Sequence, residues 1–214
     1  IGVAAVIAVV SIVQGLNYVI ATQMEGVGVT YIMVVPRQDL QDPDLAGREV
    51  TLTFEDGLAI MERATGIKHF NPIFFRGAST KAGSRQYSTI LLGVGAYHQE
   101  VANHWVDRGR FFSDLDIQRA ARVCMVGQEV INELELEEPV LGTDLIVGSS
   151  AFTIVGIMEY QGEMLGQNQD DFVLIPITTA RDIYGVKAFK QLRLDFQAES
   201  PETVDQARDQ IREI

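Results

Sequence analysis

The sequence predicts an α+β fold. Helix and strand signals both occur, but they do not alternate regularly. An early part reads strand, helix, strand, strand; a run of short strands begins at Val106; a last strand and helix close the chain. A doubly wound parallel sheet needs strict strand–helix alternation, so segregated runs favour α+β. The chain has 214 residues, of which 47% are hydrophobic, enough for one large domain or two small ones.

The first 24 residues carry no charge; the first charged side chain is Glu25. Residues 1–13 are almost wholly apolar, and Gln14, Asn17 and Gln23 follow, with Tyr18 at the changeover. A bilayer core needs about 20 apolar residues in a helix, so this run is too short to span alone. The chain also starts without methionine, which suggests a cut inside a longer apolar segment. Residues 1–24 are therefore expected to be the end of a transmembrane helix and its extension into water, with Tyr18 at the interface. Small residues Gly2, Ala4, Ala5, Ala8 and Ser11 would suit close packing against another membrane helix. A signal peptide would show a basic region first, and none is present. A buried helix of a soluble domain would carry a polar stripe, and residues 1–13 offer only Ser11.

Gly26 and Gly28 interrupt this helix. They are candidate hinge positions, because glycine tolerates large dihedral changes; simple helix termination is the alternative. Residues 31–35 are β-rich and end at Pro36, and residues 37–48 read as an exposed polar loop. Thr53 is an N-cap candidate with Glu55 and Asp56 in the first turn, where the helix dipole favours negative charge. Ile60, Met61 and Ala64 give that helix its apolar face, and Gly66 ends it. Residues 67–79 and 85–94 form a predicted hairpin turning at Thr80-Lys81-Ala82-Gly83-Ser84. Residues 96–105 read as a short helix with Tyr97, Val101 and Trp105 at helical spacing.

Residues 107–114 read as a charged turn followed by an aromatic pair. Strands are expected at 122–126, 145–147, 152–158 and 172–175, and helices at 127–134 and 178–184. Residues 161–171 lack periodicity and read as a long, mobile polar loop. Met164, Leu165 and Gln167 in it are candidate partner contacts, with folding back onto their own domain as the alternative. Residues 191–196 alternate as a half-buried strand does. Ser200-Pro201-Glu202 then opens a helix with N-cap serine and proline at the first helical position, and the chain stops inside that helix.

Net charge is −12, so nucleic acid is an unsuitable partner: phosphate binding needs clustered Lys and Arg. The single cysteine, Cys124, excludes an internal disulfide and sits in an apolar strand pattern. There is no phosphate-binding loop, no third glycine after Gly26-Val27-Gly28 or Gly93-Val94-Gly95, and no nucleophile elbow. His98 and His104, six residues apart, fall on different faces of a helix, so a zinc site is not expected. Asp114, Asp116, Asp170 and Asp171 read as solvated turn acids. No catalytic residue, cofactor or metal is expected.

Four blocks then carry a family resemblance. They are Gly109-Arg110-Phe111-Phe112-Ser113, Arg122-Val123-Cys124-Met125-Val126-Gly127, Phe152-Thr153-Ile154-Val155-Gly156-Ile157 and Gln169-Asp170-Asp171-Phe172-Val173-Leu174-Ile175-Pro176. In this order they resemble the MacB-like periplasmic core domain of ABC exporter permeases, over essentially the whole chain. The opening Ile1-Gly2-Val3-Ala4-Ala5-Val6 is similar to the latter part of that family's first membrane helix. The resemblance implies a two-lobed extracytoplasmic domain: a porter-like α+β lobe, here residues 25–105 and 186–214, and an inserted β-rich lobe, residues 106–185. It implies an inner-membrane permease with this domain on the periplasmic side. It further implies a second permease subunit in a homodimer or heterodimer, a fused or separate cytoplasmic ATPase, and a periplasmic adaptor protein as a partner. The chain is then expected to be no enzyme itself. Lipoprotein-releasing permeases share this topology and stay open as an alternative. A membrane-anchored extracytoplasmic hydrolase or binding module is the competing class.

Overall fold

The computed structural model describes residues 29–36, 51–164 and 166–214. The expectations for residues 1–24, for Gly26 and Gly28, for the loop at 37–48 and for Leu165 lie outside them. Among the described residues, no helix is long and apolar enough to cross a membrane.

The chain enters at β1 (Tyr31–Val34), then α1 (Phe54–Arg63), β2 (Ile67–Ala82) and β3 (Arg85–Val94). Thr53 caps α1 as its sequence predicts: its hydroxyl accepts from Asp56 N–H, and the Asp56 carboxylate accepts from Thr53 N–H at 2.7 Å. Gly57 of α1 lies directly on the Phe70 ring, where an added Cβ would come within 2.1 Å. The β2–β3 turn is tighter than the five-residue loop expected, because Gly83 takes φ +57° and lets both strands run almost to the corner.

The predicted helix at 96–105 shrinks to α2 (His98–Ala102). Asn103 stops it in the left-handed region at φ 48°. Of the three residues expected on its apolar face, only Val101 is buried, while Tyr97 is exposed and stacks on His69 at 4.3 Å. The expected charged turn is instead β4 (Val106–Gly109) and α3 (Asp114–Gln118). A second capping box, Ser113 with Asp116, starts α3.

The remaining elements are β5 (Val123–Val126), α4 (Gln128–Glu133), β6 (Asp144–Val147), β7 (Ser150–Met158), β8 (Glu163–Met164), β9 (Gln167–Asn168) and β10 (Phe172–Pro176). They are followed by α5 (Ile177–Tyr184), a 3-10 turn (Val186–Lys190), β11 (Arg193–Ala198) and α6 (Val204–Glu213).

β2 organises the pairing. It has 16 residues, roughly 50 Å at strand rise. Its first half pairs with β11, and its second half pairs with β3 on one edge and β6 on the other. β1 adds to β11, giving the order β1-β11-β2-β3 with α1, α5 and α6 packed on these strands. Beyond them the ladder continues through β10, β5 and β7, and β7 pairs with β6. Since β6 returns to β2, the strands β2, β3, β10, β5, β7 and β6 close a six-stranded ring. Leu91, Cys124, Val126, Leu145, Phe152, Ile154, Val173 and Ile175 are buried in one apolar cluster that continues to Phe70, Phe74, Leu194 and Phe196. Closure leaves the ring few free edges.

The described chain enters and leaves side by side. Ala198 N–H, at the end of β11, donates to Thr30 O at 2.8 Å, and α6 packs on β1. Thr65, just after α1, donates its N–H to Gln210 of α6 at 2.7 Å.

Candidate interaction surfaces

The first candidate surface is the segment expected to be a mobile, structureless loop. It instead holds the β8–β9 hairpin, turned at Gly166 with φ +78°. The corrected feature is Asp170, which is 1% exposed rather than solvated. Its Oδ1 accepts from Gln161 N–H at 2.9 Å and its Oδ2 from Gly162 N–H at 2.7 Å. Its own N–H donates to Asn168 Oδ1, and its carbonyl accepts from Glu129 N–H of α4. The carboxylate thus ties the two ends of the hairpin to each other, and the carbonyl ties them to α4. Such Asp-to-backbone bonding is the signal that the run Asn-Gln-Asp-Asp carried. Asp171 is half-buried and accepts from Thr89 Oγ1 at 2.6 Å. On the hairpin Met164 is half-buried and Gln167 exposed. At its base the Tyr160 side chain is 74% exposed, and Glu159 pairs with Trp105 through both backbone and carboxylate.

The second surface was not legible in the sequence. α1 packs on β2, α5 packs on β2 and β3, and a groove of about 680 Å3 opens between them. Phe70 and Pro72 of β2 form its floor. Phe54, Leu58 and Met61 of α1 line one wall, and Ile117 of α3 with Ile177 and Arg181 of α5 line another. Phe189 and Leu192 also line it. Phe70, Pro72, Phe189 and Leu192 are buried, but Phe54 is 41% and Leu58 48% exposed. The lining comes from six separate stretches of chain, so no local motif announces it.

The two histidines expected apart are both buried, on different partners. His98 Nδ1 faces Asn71 Nδ2 at 3.2 Å, and Asn71 Oδ1 accepts from Gly95 N–H at 2.9 Å. The amide donates, so Nδ1 is the acceptor and the ring is neutral. Burial, then the neighbouring His104 and Arg193, lowers His98 from 6.5 to about 3. His104 Nε2 meets Glu159 O at 3.0 Å. Burial pushes the Cys124 thiol well above its usual range, which leaves it inert. Asp116 is held down to about 2, first by Arg110 and then by its cap bonds with Ser113. Asp114 is exposed. Among the described residues, no group of three or more His, Cys, Asp or Glu is placed to hold a metal ion.

Comparison with known proteins matches the family described as the MacB-like periplasmic core domain over residues 1–214. The macrolide export ATP-binding/permease protein MacB of Rhodospirillum rubrum is 30% identical over 182 residues, covering 84% of this chain and 28% of that protein. The protein of the same name from Wolinella succinogenes is also 30% identical over 182 residues, with the same coverage. The chain thus spans under a third of the length of these curated relatives. Among solved structures, the periplasmic region of MacB from Actinobacillus actinomycetemcomitans superposes with a TM-score of 0.71 at 15% identity. That match covers 89% of this chain and 84% of the other. The extracellular domain of the noncanonical ABC-type transporter YknZ from Gram-positive bacteria gives 0.66 at 15% identity, covering 83% and 88%. At such identity these two show the fold.

Proposed function

The chain belongs to the MacB-like periplasmic core domain family, and on that premise we propose that it is the extracytoplasmic part of an ABC exporter permease. In this reading it moves substrate, or gates its passage, by shifting position relative to a second permease subunit. ATP binding by a cytoplasmic ATPase, fused or separate, drives the shift. A periplasmic adaptor protein completes the assembly, and the β8–β9 hairpin with Met164 and Gln167 is a surface offered to a partner.

The observation that carries the reading is β2. A mechanical relay needs its input points close together and a stiff connection to its output. Residues 29–30 and the end of β11 meet at one place, and α6 lies beside them. β11 is hydrogen-bonded along the first half of β2, while the second half of β2 is a stave of the closed ring. A push on β11 or α6 therefore reaches the ring through one continuous strand. The porter-like lobe is then residues 25–105 and 186–214, and the inserted lobe residues 106–185, whose strands β10, β5, β7 and β6 complete the ring with β2 and β3. Residues 1–24 and α6 serve as the two struts toward the membrane, with Gly26 and Gly28 as the joint.

The test is a full-length permease in which engineered cysteines lock the ring of one subunit to that of its partner. Export should stop while ATP turnover continues. Normal export by the locked form overturns the reading. In a separate variant, Gly26→Ala with Gly28→Ala, reduced export is expected; unimpaired export removes the hinge assignment alone.

A further inference from the structure

The groove between α1 and α5 has the attributes of a small-molecule site rather than of a helix-packing gap. Its volume of about 680 Å3 lies in the range that holds a single drug-sized molecule. Its floor and walls are apolar and aromatic, and Leu58 presents nearly half its surface to the opening. A membrane surface would instead meet a protruding apolar face, not a concavity. The polar groups that share the lining are few and lean positive: Lys68 and Arg181 against one carboxylate, Asp114, with His69 stacked on Tyr97. The chain has a net charge of −12, so carboxylates are plentiful. Six of the described arginines are each ion-paired with one, whereas Arg63, Arg76, Arg119 and Arg122, like Arg181, are not. Among the described residues, Lys68 and Arg181 make no ion pair. Two cations left unpaired beside an apolar concavity complement a ligand with an apolar body and an anionic head.

We propose that this groove binds one free molecule of an anionic amphiphile, its apolar body on Phe54, Leu58 and Phe70 and its acidic head on the Lys68 and Arg181 side chains. The head is a carboxylate or a phosphate, both of which these two donors recognise. Binding does not depend on the relay described above.

Laurate below its micelle concentration tests this on the full 214-residue chain, read by the methyl resonances of Met61 and Ile117. Dodecyl maltoside supplies the same chain with an uncharged head. Laurate should shift both methyls saturably and bind at least tenfold more tightly than the maltoside. Leu58→Glu, at an exposed position, should weaken laurate at least tenfold; Glu55→Gln on the same helix, outside the lining, should leave it unchanged. Lys68→Gln with Arg181→Gln should abolish the preference for laurate over the maltoside while leaving the spectrum dispersed. Phosphatidylglycerol vesicles should not reproduce the shifts, because the site takes a free molecule. Absence of saturable shifts, equal affinity for the two amphiphiles, vesicle binding at the groove methyls, or indifference to Leu58→Glu overturns the proposal.

Discussion

At the scale of single residues, Asp170 and His98 show how buried polar groups hold this fold. Asp170 satisfies two backbone N–H groups that have no other acceptor in its loop. Removing the acceptor while leaving the donors buried costs the desolvation of both. Asp170→Ala should destabilise the chain by about 3 kcal/mol in a denaturant titration, with faster amide exchange confined first to residues 161–169. His98 is folded in its neutral form, and protonation of Nδ1 would turn a donor toward the Asn71 amide. Its folded pKa, about 3, lies below the ordinary 6.5. Its contribution is therefore complete above pH 6.5 and declines as pH falls toward 3, because the unfolded chain takes up the proton first. The stability difference between the parent and His98→Gln should narrow steadily as pH falls through this window; a constant difference would remove His98 as the cause.

At the scale of elements, local chemistry explains what was legible. Thr53 with Asp56, the turn residues between β2 and β3, and Ser200 with Pro201 are signals within a few residues, and each produced its element. Ser113 with Asp116 is the same capping chemistry, yet the charges around it read as a turn. The 161–171 hairpin was missed because its strands have two residues each, too few for any periodicity. The ring itself was beyond local reading. β2 meets β6, and β3 meets β10 in parallel, across some sixty to eighty intervening residues. Nothing in those stretches names its partner, and the groove inherits the same non-locality. Close approach between elements is the corresponding test. A methyl at Gly57 would overlap the Phe70 ring, which is buried and stacked on Phe196 at 5.1 Å. Gly57→Ala should cost about 2 kcal/mol despite its better helix propensity, read as a lowered unfolding temperature. A stabilised variant would show that α1 rides loosely on the sheet.

At the scale of the whole molecule, one strand belongs to two assemblies. β2 begins beside β11, where the described chain enters and leaves, and ends as a stave of the ring. β3 pairs with it from Ile73 to Ala82, and on its other edge β11 and β6 hold its two ends. The account therefore requires the sheet and ring of one subunit to move as one body. The direct measurement is a pair of spin-label distances in the full-length permease, with and without trapped ATP. Cys124 is buried and the only cysteine in this chain, so engineered labels can be placed selectively within it. Labels at Ser149→Cys, in the exposed turn between β6 and β7, report the distance between the rings of two subunits. A second label at Glu199→Cys, beside the end of β11, reports the distance within one subunit. The account predicts that the distance between rings changes by several ångströms on ATP trapping while the distance within each subunit stays fixed. An unchanged distance between rings, or a change within the subunit as large as that between subunits, would contradict it.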